Sequence, residues 1–573
     1  KDQFEDTNND GIFNEYDFWS KGSSVRHAIN VLLYVILVLL IYHVLSCFFF
    51  KDKKDMVFFA VLFFAVHPLH AEVVANIKSR DEILSLLMIF STLFFTVKYV
   101  HTPKIKYLFY VGVFMLLALL SKEYALLLFL IIPALIYVYY HEIIDLKSPL
   151  LWAMLAAVGL SSFLLIKFFN SGKLIAVPVF FFFLGVFLIN KDSLPTVKVV
   201  FALGSSLLIY LALRFSATTH DVEIASFKND ILANPYQFAT PTQELASKIA
   251  VWLKYIFLLF VPNPLVCDYS FKSIPYSDFQ SVKVWLSILI FLGLAFFTAF
   301  TTLNRNKLSM AFMLALGFFI PVMNIFIDIG ATMGERLFFH ASIGFCLLVS
   351  SLVVSILSYI NNQRFKVIIF STLVIFILFG FGTLTVKRNG EWKNNKTLFL
   401  ADVEKVPANI NILTGAGTSC YELSILPNNK NRRKEFSLMA NNYYNKGIKI
   451  FPKHYPLYMN KAVNLISMGE LDSSRICTDS VLKYAPTLPN IHRFRDKLSE
   501  GFMLKGVSQY EKGNRKDGMQ NLLKSLSLNK KNVKSWNNLG MALFTEGSHE
   551  KALMCYKTTL GIDPKNKTAL KAV

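Results

Sequence analysis

Twelve long apolar runs, separated by short polar connections, occupy most of the chain between residues 28 and 386. Runs of this length are typical of helices that cross the roughly 30 Å hydrocarbon core of a bilayer. Because some of the runs are short, we expect about eleven membrane helices. The runs lie near residues 28–50, 56–75, 83–100, 107–121, 124–140, 149–168, 173–190, 197–215, 281–301, 308–325, 341–360 and 367–386.

Basic residues fall in alternate connections between these runs, and the positive-inside rule makes those connections cytoplasmic. They hold Lys51, Lys53, Lys54, Lys104, Lys106, Lys147, Lys191, Lys198, Arg305, Lys307, Arg364 and Lys366. The other connections are then extracytoplasmic, including an acidic loop at residues 1–27 and a long loop at residues 216–280. Inside the long loop, the apolar segment 251–262 is too short to span and precedes Asn-Pro, which predicts an interfacial or re-entrant helix.

From residue 387 the apolar runs stop, which indicates a water-soluble domain that we expect to be extracytoplasmic. The spacing of a tetratricopeptide repeat is shown by Trp536, Gly540, Gly547, Ala552, Tyr556 and Pro564. Thirty-four residues before the first five stand Phe502, Gly506, Gly513, Gly518 and Leu522. A looser third copy is suggested by Tyr458, Ala462, Gly469 and Pro486. The second helix of a fourth is suggested by Ala440, Tyr444 and Pro452, its first helix being interrupted by the basic stretch NNKNRRK.

These patterns predict an all-α protein, with a polytopic membrane helix bundle at residues 28–386 followed by a tetratricopeptide-repeat α-solenoid at residues 387–573. Composition agrees, because apolar, aromatic and Cys residues make up 54% of the 573 positions and charged residues 17%. The net charge of +21 does not indicate nucleic-acid binding, since the basic residues are spread through loops and the C-terminal domain. The six Cys have neither zinc-site nor disulfide-framework spacing.

No signal peptide is visible in residues 1–27, which are hydrophilic and acidic. The first membrane helix must therefore direct targeting, or a segment is missing upstream.

Ionisable residues gather in the outer connections, at the ends of three separate membrane helices. They are His67, His70, Glu72, Arg80, Asp81 and Glu82, then Lys122 and Glu123, and finally Glu335 and Arg336. Ionisable groups at a bilayer are costly and usually functional, so their clustering favours a polar cavity that opens outward. The alternative is a set of interfacial caps and salt bridges in solvated loops.

Two metal sites are conceivable from the spacing of ligands. A zinc site at His67 and His70 is disfavoured, because Pro68 breaks the helical spacing and no third ligand is obvious. A calcium loop is better matched in the acidic opening, where Gly11 occupies position 6 and oxygen ligands would come from Asp6, Asn8, Asp10, Asn14 and Asp17. No helix precedes this loop, so we expect weak calcium binding at most.

The segments HPLHAEVVANIKSRDEILSLL, LLSKEYALLL, NPLVCDYSF, MGERLFFHASIGFCLL and RNGEWKNNKTLF, followed by tetratricopeptide repeats, give a specific combination. Over nearly its whole length the chain resembles the transmembrane and tetratricopeptide-repeat O-mannosyltransferases and their bacterial relatives. That resemblance implies the multi-span glycosyltransferase fold called GT-C. It also implies transfer of a sugar from a polyprenyl-phosphate donor to Ser or Thr of a protein outside the cytoplasm.

The resemblance further implies roles for individual residues. Catalytic carboxylates would be among Asp2, Asp6, Asp81 and Glu123, with Asp2 and Asp6 nearest to the family's general base in the first outer loop. Binding and orientation of the donor would fall to His67, His70, Glu72, Arg80, Lys122, Glu335 and Arg336. Among these, Arg80, Lys122 and Arg336 suit the lipid phosphate as cations.

Two family features are absent from the sequence: a membrane helix before the acidic loop and a YRP-containing stretch after it. Either these pieces were lost or the catalytic loop is degenerate. The second case favours a non-catalytic membrane scaffold that docks partner proteins through its repeats. A transporter fits less well, because the ionisable residues gather at one face and not at midplane.

Composition and compact loops favour a bacterial inner membrane, with the repeats in the periplasm, over an endoplasmic reticulum with luminal repeats. Glycosylation at Asn395 and Asn566 is expected only in the second compartment.

Overall fold

The computed structural model describes residues 15–140, 195–217, 231–325 apart from 233, 329–486, 488 and 491–573. Within these ranges the regular elements are helical and no strand occurs. The chain divides into two compact units, Lys1–Leu398 and Phe399–Val573. The prediction of an all-α membrane bundle with a tetratricopeptide-repeat region is confirmed.

The first unit, here called the membrane unit, contains long apolar helices joined by short turns. Its helices are α1 (Glu15–Val44), α2 (Lys54–Val66), α3 (Ala71–Ala75), α4 (Arg80–His101), α5 (Ile105–Ser121), α6 (Leu128–Tyr140), α7 (Pro195–Ala217), α8 (Pro241–Phe260), α9 (Val282–Leu303), α10 (Ser309–Phe319), α11 (Phe339–Ser358) and α12 (Gln363–Glu391).

Seven described segments are long and apolar enough to cross a membrane, and a bent pair, Lys54–Val66 with Pro68–Ala75, adds an eighth if it is one span. Helices α5 and α10 are apolar but shorter. The runs predicted at 149–168 and 173–190 lie outside the described residues. Ten of the twelve apolar runs therefore correspond to described apolar helices.

The segment predicted as one span at residues 56–75 is broken, with a bend of 50° between its two helices. His67 has extended backbone angles, with φ −67° and ψ 123°, and it stands directly before Pro68. A proline disfavours helical geometry at the residue before it, so the helix ends there. Because of this break, the HPLHAE segment leaves the end of α2 in a different direction from the axis of α2.

Helix α8 lies in the long loop at residues 216–280, and it is longer than the helix predicted at residues 251–262. It begins at Pro241 because Thr240 accepts a hydrogen bond from the Gln243 backbone, while the Gln243 side chain accepts one from the Thr240 backbone. This capping box satisfies two backbone donors at the helix start. Trp252 and Tyr255 point into the membrane unit and are buried.

Helices α10 and α11 pack at very close range through Gly344. A Cβ atom at Gly344 would lie 2.2 Å from the backbone nitrogen of Ala315 and 2.6 Å from the carbonyl oxygen of Ala311. Glycine therefore allows the two backbones to touch, as small residues do at helix crossings in membranes. This contact fixes the helix whose N-terminal end carries Glu335, Arg336 and His340.

The second unit, here called the repeat unit, consists of antiparallel helix pairs. Helix α13 (Asn395–Lys405) leads into it, and the helices that follow are α14 (Ile410–Ile425), α15 (Arg433–Ile450), α16 (Tyr455–Ser467), α17 (Leu471–Tyr484), α18 (Ile491–Glu511), α19 (Arg515–Leu528), α20 (Val533–Thr545), α21 (His549–Ile562) and α22 (Lys567–Ala572). The basic stretch NNKNRRK follows the end of α14 and runs into the first two residues of α15, so it does not interrupt the first helix as the sequence suggested.

Small residues allow the paired helices of the repeat unit to approach closely. A Cβ atom at Gly506 would lie 2.8 Å from the carbonyl oxygen of Gly518 on the partner helix. The turns between paired helices place Gly513 and Gly547 at φ +92° and +76°, where glycine is favoured. Cys555 is buried in the core formed around Leu522 and Leu539.

Candidate active site

Arg336 and Glu72 form the first ion pair among the ionisable residues at the membrane-helix ends, a set here called the outer cluster because the sequence predicts that it is extracytoplasmic. The Arg336 guanidinium donates to Glu72 Oε1 at 3.0 Å, and the Arg336 backbone N–H donates to Glu72 Oε2 at 3.3 Å. The Glu72 side chain is 3% exposed, whereas that of Arg336 is 43% exposed. The carboxylate is therefore buried, whereas part of the guanidinium surface stays accessible.

Lys122 is held by two carboxylates of α4. Its ammonium lies 3.0 Å from Glu82 Oε1 and 3.2 Å from Asp81 Oδ2. Glu82 is fully buried, while the Asp81 side chain is 41% exposed. Burial opposes the charged form of Lys122, but Glu82 and Asp81 outweigh it and raise the pKa of Lys122 above its usual value. The ammonium is therefore charged throughout the neutral pH range.

These two ion pairs belong to one electrostatic cluster. Arg336 interacts electrostatically with Glu82 and Asp81 as well as with Glu72. Asp81, Lys122 and Arg336 come from helix ends that are far apart in sequence. The structure thus brings these three predicted site residues together, with Glu72 and Glu82 as their buried partners.

Arg80 is directed towards α1 and contacts uncharged groups. Its Nε donates to the side-chain oxygen of Asn30 at 2.8 Å, and its Nη2 donates to the backbone oxygen of Arg26 at 3.0 Å. Asn30 is fully buried and donates in turn to the carbonyl oxygens of Val74 and Asn76. The Asn30 amide therefore positions the guanidinium without neutralising its charge, which suits a residue that binds an external anion.

His67 and His70 use their ring nitrogens on protein groups. The backbone N–H of Leu69 donates to His67 Nδ1 at 3.2 Å, so the proton is on Nε2, which donates to the Leu259 carbonyl at 3.0 Å. The ring of His70 contacts the hydroxyls of Tyr34 at 3.0 Å and Ser342 at 2.9 Å. Both rings are buried and tie the broken helix to α8, α1 and α11. Their contacts orient the HPLHAE segment.

Glu335 points away from Arg336 and towards the loop after α8. Its Oε1 accepts hydrogen bonds from the Val266 backbone at 2.5 Å and from the Tyr269 hydroxyl at 2.8 Å. The ammonium of Lys254 lies 4.8 Å from the centre of the Tyr269 ring. Burial lowers the pKa of Lys254 below its usual value, with Lys283 acting in the same direction and Glu335 opposing it. Glu335 therefore anchors the NPLVCDYSF segment beside the outer cluster.

Glu123 is directed to a different neighbour than Lys122. It forms an ion pair with Arg214 of α7 and accepts a hydrogen bond from the Tyr210 hydroxyl at 3.2 Å. Both members of the ion pair are about half exposed. The structure thus connects Glu123 with α7 and not with the carboxylates that hold Lys122.

Sequence reasoning assigned no role to several residues that complete the cluster. Arg388, near the end of α12, is 3% exposed and interacts electrostatically with Glu72 and Glu335. His340 lies 3.5 Å from Glu82 through its Nδ1. A polar residue at the start of a long apolar run was the available signal for His340, and the RNGEW segment was the signal for Arg388.

Among the described residues, no group of three or more His, Cys, Asp or Glu side chains is placed to hold a metal ion. The predicted calcium ligands Asp6, Asn8, Asp10 and Asn14 lie outside those residues, as do the catalytic candidates Asp2 and Asp6. Asp17 lies in the first turn of α1. The calcium loop therefore stays a prediction.

The fold and the cluster define a multi-pass membrane protein with a repeat domain and a set of cations paired to buried carboxylates at its helix ends. The family model of dolichyl-phosphate-mannose-protein mannosyltransferases matches residues 19–166, and that of the tetratricopeptide repeat matches residues 533–566. Protein O-mannosyl-transferase TMTC3 of Homo sapiens is 23% identical over 599 residues, covering 95% of this chain and 59% of the human protein.

Two further relatives carry similar names. Protein O-mannosyl-transferase F38B6.6 of Caenorhabditis elegans is 23% identical over 67% of this chain and 46% of its own length. Protein O-mannosyl-transferase tmtc2 of Xenopus laevis is 35% identical over 107 residues, which are 18% of this chain and 12% of that protein. The chain is therefore similar to the transmembrane and tetratricopeptide-repeat O-mannosyltransferases, both in the family model it matches and in the names of its relatives. It spans about three fifths of the length of the human relative.

Proposed function

We propose that this protein is a membrane glycosyltransferase of the GT-C type, which moves a sugar from a polyprenyl-phosphate donor to Ser or Thr of extracytoplasmic proteins. The observation that carries the proposal is the arrangement of Arg336 over Glu72 and of Lys122 over Glu82. In each pair the carboxylate is buried and the cation is partly exposed. Fixed cations of this kind suit a phosphate that becomes a leaving group.

The chemistry requires a balanced displacement at the anomeric carbon of the donor sugar. The acceptor hydroxyl forms the new carbon–oxygen bond while a carboxylate takes its proton, and the bond between the sugar and the lipid phosphate breaks. The polyprenyl phosphate leaves with the bonding electrons, and Arg336 and Lys122 stabilise the charge that develops on it. Asp2 and Asp6 are the proposed bases.

Arg80 is proposed as a third contact for the donor phosphate. Its two described hydrogen bonds go to neutral oxygens, so its charge is not compensated by a carboxylate in those contacts. A guanidinium binds phosphate oxygens in a fixed fork, and the buried Asn30 holds that fork in place. Glu335 supports the donor site indirectly, through the loop that it anchors.

The repeats are proposed to bind acceptor or partner proteins, because stacked helix pairs of this type present extended binding surfaces. We place them outside the cytoplasm, in the periplasm of a bacterium or, as the alternative, in the lumen of an endoplasmic reticulum. Cys555 is buried and makes a poor probe of this topology. A cysteine introduced at the exposed Lys551 should react with an impermeant thiol reagent added outside the cell. A cysteine introduced at the exposed Lys53 should react with it only after the membrane is permeabilised. The opposite pattern would invert the topology.

The test of function uses cells that lack the native protein and carry Arg336→Ala or Asp6→Asn. We expect the transfer of sugar to extracytoplasmic proteins to fall in both variants, while the protein folds and its repeat partners still bind. Glycosylation that is unchanged in both variants and in the full deletion would contradict the proposal. The non-catalytic scaffold would then be the better interpretation.

A further inference from the structure

Glu82 stands between Lys122 and His340, and it is the most deeply buried carboxylate of the outer cluster. Its side chain is fully buried, with one oxygen 3.0 Å from the Lys122 ammonium and the other 3.5 Å from His340 Nδ1. The other carboxylate on Lys122, Asp81, is 41% exposed and can exchange its contact for water. Glu82 has no such alternative, because an unpaired buried carboxylate is very costly.

His340 is itself held from three directions. Its Nε2 lies 3.2 Å from the Ser85 hydroxyl, one helical turn along α4 from Glu82. The rings of Tyr124 and Phe318 lie against it, with centroids at 4.5 Å and 5.6 Å. Close packing and a hydrogen bond therefore leave the imidazole little freedom to move.

The same contacts connect the two cations that face the proposed donor phosphate. Lys122 lies in the turn between α5 and α6, whereas Arg336 lies in the 3₁₀ turn that opens α11, four positions before His340. Glu82 touches Lys122 directly and approaches α11 through His340. One phosphate can bind both cations only if the distance between Lys122 and Arg336 is constant. Glu82 is in a position to fix that distance.

We propose that Glu82 is a positioning residue that fixes Lys122 relative to Arg336, so that both cations bind one lipid phosphate. This inference rests on the proposed function of the cluster. Glu82 does not touch the donor, and it acts through Lys122 and His340. The competing interpretation is an ion pair that only stabilises the helix bundle.

The experiment measures the affinity of the purified full-length protein for polyprenyl phosphate, the lipid without its sugar. Glu82→Gln keeps the size of the side chain but removes the charge that holds Lys122. We expect affinity to fall roughly tenfold to a hundredfold, because a misplaced Lys122 weakens or loses a charge-assisted hydrogen bond to the phosphate. Glu244→Gln, which breaks an ion pair with Lys248 on α8, is the matched control and should leave affinity unchanged.

A double-mutant comparison separates positioning from stability. In the Lys122→Gln background, Glu82→Gln should weaken the binding of polyprenyl phosphate no further, because Lys122, the cation that Glu82 positions, is no longer there. Glu82→Asp keeps the charge but draws Lys122 inward, so it should also weaken the binding of polyprenyl phosphate. This variant provides the test if Glu82→Gln fails to fold. Unchanged affinity in folded Glu82→Gln or Glu82→Asp, with or without a lower melting temperature, would overturn the positioning role.

The Arg336→Met variant distinguishes failure of this inference from failure of the proposed function. If Arg336→Met weakens lipid binding and the Glu82 variants do not, only the positioning role is wrong. If Arg336→Met also binds polyprenyl phosphate as the unmodified protein does, the cluster is not the donor site and both proposals fail.

Discussion

The membrane unit and the repeat unit both pack helices closely, but they treat charge differently. In the membrane unit the carboxylates of Glu72, Glu82 and Glu335 are all at most 3% exposed. Ion pairs of the repeat unit, such as Arg432–Glu435, lie at the surface, with Asp402 beside Lys405 as a buried exception. Burying charge costs free energy that apolar packing does not, so its concentration at the ends of the membrane helices points to function.

The largest effect should come from the helix crossing that holds α11. Gly344→Leu would place side-chain atoms where the α10 backbone lies, since even a Cβ there is 2.2 Å from Ala315 N. We expect a loss of more than about 3 kcal/mol in the stability of the membrane unit. Thermal unfolding in detergent measures this. Gly293→Ala is the control, because nothing lies within 4 Å of its Cβ position, and an equal loss there would contradict the account.

Glu335 should give the next largest effect on stability. Glu335→Leu leaves the buried backbone N–H of Val266 and the hydroxyl of Tyr269 without their acceptor. An orphaned buried donor costs about 1–3 kcal/mol, so we expect a loss of roughly 2–4 kcal/mol by thermal unfolding. Tyr269→Phe removes one of the two donors with its hydrogen bond and should cost less. A Glu335→Leu protein as stable as the unmodified one would show that Glu335 does not anchor the loop.

The repeat unit should lose stability when one close helix contact is made too crowded, without any change of charge. Gly506→Ala forces the α18 and α19 backbones apart, because the added Cβ would lie 2.8 Å from the Gly518 oxygen. We expect a loss of about 1–3 kcal/mol, seen as earlier proteolysis of residues 399–573. Binding of polyprenyl phosphate should persist, since the outer cluster lies in the membrane unit. If Gly506→Ala reduced the binding of polyprenyl phosphate as much as it reduced the stability of the repeat unit, lipid binding would depend on the repeat unit as well.

The exposed ion pair between Glu123 and Arg214 should matter least for stability. Both side chains are 51% exposed, so water can replace either partner. Glu123→Gln should change the free energy of unfolding by less than about 1 kcal/mol. A larger loss in the melting curve would indicate that this pair is a structural element of the bundle. A large loss of sugar transfer without loss of stability would instead support the predicted catalytic role of Glu123.

The two units also differ in what the sequence could predict. The repeat unit depends on local spacing, so Gly506, Trp536 and Ala552 indicated its helix pairs directly. Membrane helices were equally visible as apolar runs, apart from the bend that Pro68 introduces. The pairings within the outer cluster were not visible, because Glu72 meets Arg336 across 264 positions of sequence. Residue types indicated which groups are ionisable, but only the packing of α4 and α11 decides which of them meet.

His340 and Asn30 illustrate the limit most clearly. Each is a buried polar residue in a largely apolar helix, and the sequence shows neither what it faces nor which charged group it supports. Their roles depend on contacts with Glu82 and Arg80 on a neighbouring helix. Such residues are natural candidates when a helix is otherwise apolar, because burying an unpaired polar group is unfavourable.

The most direct test of the central claim is transfer of labelled mannose from polyprenyl-phosphate mannose to Ser and Thr of acceptor proteins. Mannose is the probe because the relatives are named O-mannosyl-transferases. Membranes that contain the full-length protein should yield alkali-labile labelled protein, and Arg336→Met should reduce the rate about a hundredfold or more. Labelling that is equal with Arg336→Met, or no greater than in membranes without the protein, would contradict the account.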